Sequence, residues 1–284
     1  MSLTILTNVA GLQAQNSLSS NQTSLNTTLQ ALSTGKRINS GADDPAGLAI
    51  ANGLQANVTA LTQSVRNATD GIGMLQVADG ALSQITTLLN SAVSLATESA
   101  TGTVSDSQRG ALQAQFASIQ AEISNIGQNT TYNGQAIFSS GNALAVYMSD
   151  SSSQGTTTVT VNLGTVNSSN LGTASGSTVP VSIASNDLSH ATDAQAALTN
   201  INSAIAGIAL LRGNLGASSN QLSAASNVMS SQITNLTNAE NNIMAADMGT
   251  ETASLSQESI LQQTGIAALQ QSNQMQQSVL KLLQ

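Results

Sequence analysis

The sequence of 284 residues contains no cysteine, no tryptophan, two prolines and only 1% aromatic residues. Without cysteine, neither a disulfide framework nor a thiolate metal site can form. Aromatic side chains usually supply much of the buried area of a compact globular core, so a core of that kind is not expected here. Because an interior proline costs a helix about 3 kcal/mol, the scarcity of proline permits very long helices.

Charged residues are also scarce. They make up 7% of the sequence, with six basic and 14 acidic residues. This balance argues against nucleic-acid binding, which requires a basic face to neutralise phosphates. No run of eighteen apolar residues exists, so we predict no transmembrane helix, and the N-terminus lacks the pattern of a secretory signal peptide. We therefore expect neither a nucleic acid nor a membrane as a partner.

What the chain does contain is a long row of apolar residues spaced seven apart in its last third. Such spacing keeps residues on one helix face and predicts a long coiled-coil helix. A second row lies in the first third of the chain, where apolar residues alternate in steps of four and three. The two rows can be buried against each other. We call the larger members of both rows the rod seam: Leu54, Leu61, Leu75, Ile201, Ile208, Leu215, Leu222 and Leu236. The predicted fold is mainly α, a long antiparallel helical rod built from paired N- and C-terminal segments.

Local signals predict where the helices begin. Asp44 followed by Pro45 predicts a helix start, because Asp caps well and Pro suits the first helical position. Ser105 predicts the start of a third helix that runs to about Ile126. A break at residues 247–249 separates the long C-terminal helix from a last amphipathic one.

The middle of the chain changes character, and Gly, Ser and Thr dominate from Ile137 to about Asp187. Just before it, Asn133-Gly134 is a tight-turn signal. Two runs then alternate apolar with polar residues, as half-buried strands do: Val159, Val161 and Leu163, and Val179, Val181 and Ile183. Pro180 cannot donate a ladder hydrogen bond, so the second run is predicted to be an edge strand. We expect a small β-hairpin region here.

These signals divide the chain into three predicted parts. Residues 1–40 with 248–284 form a terminal helical pair, residues 41–140 with 188–247 form a rod domain, and residues 141–187 form its β-hairpin region. Each terminal segment has one apolar stripe, and pairing with the other would cover only half of it. Since an isolated amphipathic helix is marginal in water, we expect these ends to be largely disordered in the monomer and to fold when other copies cover them. The predicted polymerisation surface comprises Leu3, Ile5, Leu12, Leu18, Leu25, Leu269, Val279, Leu280, Leu282 and Leu283.

Few residues have side chains in a pattern that suits catalysis or metal binding. His190 is the single histidine, so no histidine-based triad or histidine-rich metal site can be built. Asp43 and Asp44 are better explained by helix capping than by catalysis. Gly71 and Gly73 have no strand before them, so they indicate close helix approach rather than a phosphate loop. We predict no catalytic, cofactor-binding or metal site, and no enzyme activity.

Three segments together resemble bacterial flagellins. Residues 32–51 are similar to the N-terminal hallmark of that family and read LSTGKRINSGADDPAGLAIA. Residues 105–138 resemble its third helix and following turn, and residues 260–284 resemble its C-terminus. Only about fifty residues separate the two similar regions, 1–138 and 193–284. The resemblance therefore implies a minimal flagellin that lacks the variable outer domains.

The resemblance implies a function and partners. The chain would be the structural subunit that polymerises into the flagellar filament for motility. It would be exported unfolded by the flagellar type III apparatus and would lie outside the cell, on the bacterial flagellum. Besides other copies of itself, it would meet an export chaperone and the filament cap. The alternative is a hook–filament junction protein, which shares the terminal helices and a similar motif.

One segment departs from the family. Flagellins that activate the animal Toll-like receptor strongly often read close to LQRVRELAVQ on the second helix, whereas residues 88–98 here read LLNSAVSLATE. Leu95 matches the leucine of that pattern, but Ser91 and Ser94 replace its arginine and glutamate. We therefore expect weak or absent receptor activation.

Overall fold

The computed structural model describes residues 8–138, 143–149, 157–171 and 181–282. Its helices are α1 (Val9–Thr34), α2 (Pro45–Ser99), α3 (Asp106–Asn129), α4 (Ala191–Met244) and α5 (Met248–Leu282). Between α3 and α4 the described residues form the strands β1 (Thr131–Tyr132), β2 (Gln135–Ala136), β3 (Ala143–Met148) and β4 (Thr157–Asn162). The predicted mainly-α fold with a small β region in the middle is confirmed.

Backbone contacts divide the chain into two compact units. Unit 1 comprises Met1–Ala56 and Asn235–Gln284, and unit 2 comprises Asn57–Thr234. Helices α2 and α4 contribute residues to both units. The three-part division drawn from the sequence stays a prediction.

The helix starts follow the capping signals. The Asp44 carboxylate accepts a hydrogen bond from the backbone N–H of Gly47 at 2.8 Å, and α2 begins at Pro45. Ser105 and Gln108 form a reciprocal capping box at the start of α3. Asp247 accepts hydrogen bonds from the first backbone N–H groups of α5. The helix starts predicted at Pro45 and after Ser105 are confirmed.

The core of unit 2 is built mainly from aliphatic side chains. Helices α2 and α4 bury matching rows, and α3 adds Leu112, Phe116 and Ile123. Arg212 on α4 holds Asp79 on α2 through two hydrogen bonds of 2.7 and 3.1 Å. Both bonds and the positive charge of Arg212 stabilise the carboxylate, so the pKa of Asp79 is lowered.

The β region agrees only in part with the sequence. Asn133 and Gly134 have φ angles of 50° and 78° and join β1 to β2, so the predicted tight turn is confirmed. Strand β4 contains Val159 and Val161 of the first predicted run and pairs antiparallel with β3, whereas Leu163 lies just beyond its end. We did not predict β3, because alanine at its alternate positions weakens the apolar–polar alternation.

The second predicted run behaves differently. Val179 and Pro180 lie outside the described residues. Val181 makes only an isolated bridge with Leu171, and the N–H of Ile183 bonds the carbonyl of Ser168. The predicted strand is therefore wrong for residues 181–183, whose backbone groups bond a neighbouring loop instead of a ladder.

Gly127, near the end of α3, gives a testable prediction. A Cβ atom built on it would overlap the carbonyl oxygen of Val166, which is backbone and cannot rotate away. Gly127→Ala should therefore lower the free energy of unfolding by about 2–3 kcal/mol. Gly110→Ala is the matched control, because it lies in the same helix with open space around its Cβ position.

Denaturant unfolding followed by circular dichroism provides the measurement. The Gly110→Ala variant should be at least as stable as the parent, since alanine is favoured over glycine in a helix by up to about 1 kcal/mol. Equal stability of the Gly127→Ala and Gly110→Ala variants would contradict the close packing of α3 on the backbone of Val166.

Candidate interaction surface

Helices α1 and α5 pair within unit 1. At one end of the pair, the Ser272 hydroxyl donates to the Asn8 side chain at 2.9 Å. Further along, the Asn21 amide donates to the Glu258 backbone carbonyl at 2.8 Å. The beginning of α1 thus lies beside the end of α5, and the two helices are antiparallel. The predicted pairing of N- and C-terminal segments is confirmed.

The residues that the contact between α1 and α5 buries fully are small or polar. Gly11, Thr28 and Ala31 are the buried residues of α1, and Ser272 is buried on α5. Gly265 of α5 packs on Leu18, whose Cδ1 would lie 3.3 Å from an added Cβ. Small residues let two helices approach closely, but they remove little apolar area from water.

The larger apolar side chains of both helices mostly face solvent instead. Eight of them have exposed fractions between 44% and 62%. We call these residues the exposed apolar surface: Val9, Leu12, Leu29, Met248, Ile260, Leu261, Ile266 and Met275. Full burial of such a side chain is worth about 1.5–3 kcal/mol. A partner that covered these side chains would therefore be bound with a favourable contribution from each of them.

The predicted polymerisation surface overlaps this set only at Leu12. Leu18, Leu25 and Leu269 are half-buried. The side chains of Val279, Leu280 and Leu282 are not among those the structure describes, although their backbone belongs to α5; Leu3, Ile5 and Leu283 lie outside the described residues. The apolar period places Ile260, Leu261 and Ile266 on or near the apolar face of the last helix, but it does not show which apolar positions the partner helix covers, so the predicted surface omitted them.

The rod seam occupies interior positions. Six of its residues, all in unit 2, are buried: Leu61, Leu75, Ile201, Ile208, Leu215 and Leu222. Leu54 and Leu236 belong to unit 1 and are half-buried. Gly71 lies against this core, and an added Cβ would meet Val146 of β3 at 2.7 Å and Leu222 at 3.3 Å. The close approach expected at Gly71 therefore involves a strand as well as a helix.

The acidic residues and the histidine that could take part in catalysis or metal binding form hydrogen bonds that stabilise local structure. Asp43 accepts hydrogen bonds from the backbone N–H groups of Asn39 and Ser40, which lower the pKa of Asp43. At the start of α4, Asp187, His190 and Asp193 each place one ligand-type atom within 4.8 Å of the others. All three are exposed.

Helix-start geometry accounts for this cluster. Asp187 accepts hydrogen bonds from the N–H and hydroxyl of Ser189, and these lower the pKa of Asp187. His190 Nδ1 lies 3.4 Å from the Asp193 carboxylate, one helical turn further on. The carbonyl of His190 accepts the N–H of Ala194, as expected at the beginning of a helix.

One described helix, α4, is long and apolar enough to cross a membrane by length and composition alone. The same test is passed by core helices. The buried row from Ile201 to Leu222 and the ion pair of Arg212 with Asp79 give α4 a role within unit 2. The apolar character of α4 is thus accounted for by its packing.

Comparisons with known proteins agree with one another. The model of the bacterial flagellin N-terminal helical region matches residues 5–143, and that of the C-terminal helical region matches residues 198–283. The B-type flagellin of Pseudomonas aeruginosa is 46% identical over 137 residues, which cover 48% of this chain and 28% of the relative. A flagellin of Salmonella typhimurium is 38% identical over 172 residues, or 61% of this chain and 34% of the relative. The chain thus spans about a third of the length of these curated relatives.

A solved structure shows the same fold. It is a protein of Vibrio parahaemolyticus described as a flagellar hook-associated protein, and it matches with a TM-score of 0.58 at 14% identity. The match covers 72% of this chain and all of that one. At this identity the likeness concerns the fold alone.

Proposed function

The chain belongs to the bacterial flagellin family, and from this membership we propose that it is the structural subunit that polymerises into the flagellar filament. The exposed apolar surface of α1 and α5 is the observation that supports the proposal most strongly. Eight exposed large apolar side chains on one helix pair favour an interaction site there. Other copies of the chain carry the same surface and are its natural partners, so the subunits form a homopolymer.

Further parts of the proposal come with the family. The chain is exported unfolded through the flagellar type III apparatus, is located outside the cell on the flagellum, and meets an export chaperone and the filament cap. It acts as a structural protein and not as an enzyme, in keeping with the flagellins that it matches. Export of an unfolded chain suits α1 and α5, because their mutual contact buries few large side chains and little stabilisation opposes their separation.

Electron microscopy of the purified full chain, concentrated in salt, tests the proposal. The filament subunit should form long tubes by itself. The alternative, a hook–filament junction protein, should remain monomeric or form only short assemblies under the same conditions. Persistent monomers at concentrations where other flagellins polymerise would contradict the filament proposal.

We also propose that the chain activates the animal Toll-like receptor weakly. Ser91 and Ser94 are exposed on α2. Leu95, the residue that follows Ser94, is half-buried. Flagellins with arginine and glutamate at these positions can form charged hydrogen bonds to the receptor, each worth about 1.5–3 kcal/mol. Serine cannot form such bonds. Loss of two such bonds should weaken binding by about two to four orders of magnitude.

A receptor-reporter assay on the monomer measures this. Ser91→Arg combined with Ser94→Glu should raise the signal. The matched control reverses the two charges, Ser91→Glu with Ser94→Arg, and should leave the signal low. Full potency of the unmodified chain would disprove the expectation.

A further inference from the structure

The segments that join the helices of unit 1 are bonded to each other. One connects α1 to α2, and the other connects α4 to α5. The N–H of Arg37 donates to the carbonyl of Met244 at 2.7 Å, and the N–H of Ala246 donates to the carbonyl of Gly35 at 3.0 Å. Lys36 thereby lies opposite Ala245 in a short antiparallel bridge. Gly35, Lys36 and Arg37 belong to the motif at 32–51, for which the exposed apolar surface provides no role.

The side chain of Arg37 adds a third bond across the same bridge. Its Nη2 atom donates to the carbonyl of Ile243 at 2.9 Å. Ile243 is in the last turn of α4, where carbonyl groups lack helical partners and the helix dipole is negative. A guanidinium is therefore well suited to this position. Arg37 consequently ties the segment that follows α1 to the end of α4 across 206 residues of sequence.

The remainder of the first connection is also fixed. The side-chain amide of Asn39 donates to the carbonyl of Lys36 at 2.8 Å, and Asp43 closes the following turn. Ile38 is 1% exposed and lies against Gly47, where an added Cβ would come within 2.8 Å of its Cδ1. The connection therefore holds α1 and α2 at a set position instead of acting as a loose linker.

We propose that residues 35–38 and 243–246, which we call the clasp, set the register of α1 against α5 for assembly, with Arg37 as the positioning residue. The hydrogen bonds of Asn21 and Ser272 mark one alignment of the two helices, but a contact that fully buries only small and polar residues, such as Gly11 and Ser272, stabilises that alignment weakly. Two helices that start from one bonded point can meet in only one alignment. This inference rests on the proposed filament function, and it assigns a role to Arg37 in that function.

An engineered disulfide tests the geometry directly, because the natural chain has no cysteine. Lys36 and Ala245 are a pair whose flanking residues exchange the hydrogen bonds, and such antiparallel pairs have Cα atoms about 4.5 Å apart, within disulfide range. Lys36→Cys with Ala245→Cys should therefore oxidise to an intramolecular disulfide. Lys36→Cys with Ala246→Cys is the control, since a shift of one residue moves the side chain to the other face.

Oxidation is followed by gel mobility in the soluble chain and in filaments. We expect the 36–245 disulfide to form completely in filaments and faster than the 36–246 control in both states. Equal rates for the two pairs in both states would overturn the clasp. Should the chain form no filaments at all, the proposed function would fail, while a selective 36–245 disulfide in the soluble chain would still support the clasp.

Substitution of Arg37 tests its role in assembly. Loss of the exposed, charge-assisted hydrogen bond in Arg37→Gln should raise the critical concentration for polymerisation about three- to tenfold. Lys36→Gln, the control, removes a positive charge one residue earlier. It should change the critical concentration less than about twofold. The 36–245 disulfide should restore assembly of the Arg37→Gln variant, because a covalent bond then fixes the register. Assembly of Arg37→Gln at the parent's critical concentration, or failure of the disulfide to rescue it, would overturn the proposal.

Discussion

Ile260→Asp is expected to abolish filament formation. Ile260 is 61% exposed on α5, within the exposed apolar surface that we propose other subunits cover. The substitution removes an apolar contact worth about 1.5–3 kcal/mol and places an unpaired charge in a surface that must lose water. A combined loss of about 4 kcal/mol or more per subunit would raise the critical concentration about a thousandfold.

Two controls separate assembly from folding. Ile260→Met keeps an apolar side chain of similar volume and should polymerise normally. Gln263→Asp adds the same charge three residues later, where a polar side chain already faces solvent, and should polymerise far better than Ile260→Asp. Circular dichroism should show the same helix content for all three soluble variants. A normal yield of filaments from Ile260→Asp would show that this face of α5 is not an assembly surface.

Polymerisation should also protect the chain ends from proteolysis. In the soluble subunit, a nonspecific protease should cut within α1 and within α5, outside the clasp at residues 35–38 and 243–246, and leave the remainder intact. The reason is that α1 and α5 bury mostly small and polar residues against each other, and helices with so little packing are marginal in water. In filaments, cleavage at both ends should be at least about 100 times slower, because each opening must also break contacts with other copies.

Mass spectrometry of the fragments against time gives both rates. The middle of the chain provides the internal control, since the core of unit 2 should be cut at a similar rate in both states. Protection of both ends in a subunit shown by sedimentation to be monomeric would refute the proposal that assembly orders them.

The sequence predicted best what short-range chemistry determines. The capping residues Asp44 and Ser105 lie within three residues of the groups they bond, so the starts of α2 and α3 could be placed closely. The tight turn at Asn133-Gly134 is local in the same way. The seven-residue period likewise predicted a long helix with Ile201, Ile208 and Leu215 on one face, and the structure buries these side chains in unit 2.

Features that depend on tertiary contacts were predicted less well. The period marked the aliphatic residues of the terminal segments, but α1 and α5 bring Gly11, Thr28 and Ser272 into their contact and leave Ile260 outside. Periodicity identifies the faces of a helix and does not say which face a given partner covers. The bonds of Arg37 to the end of α4 could not be predicted either, because they join residues more than 200 positions apart.

Helical reconstruction of the filament by electron cryomicroscopy tests the central claim most directly. The claim is that the exposed apolar surface of one subunit is covered by others. We expect the side chains of Leu12, Ile260, Leu261 and Ile266 to lie in contact with neighbouring subunits and to become mostly buried. A filament in which these side chains remain exposed to solvent would contradict this claim.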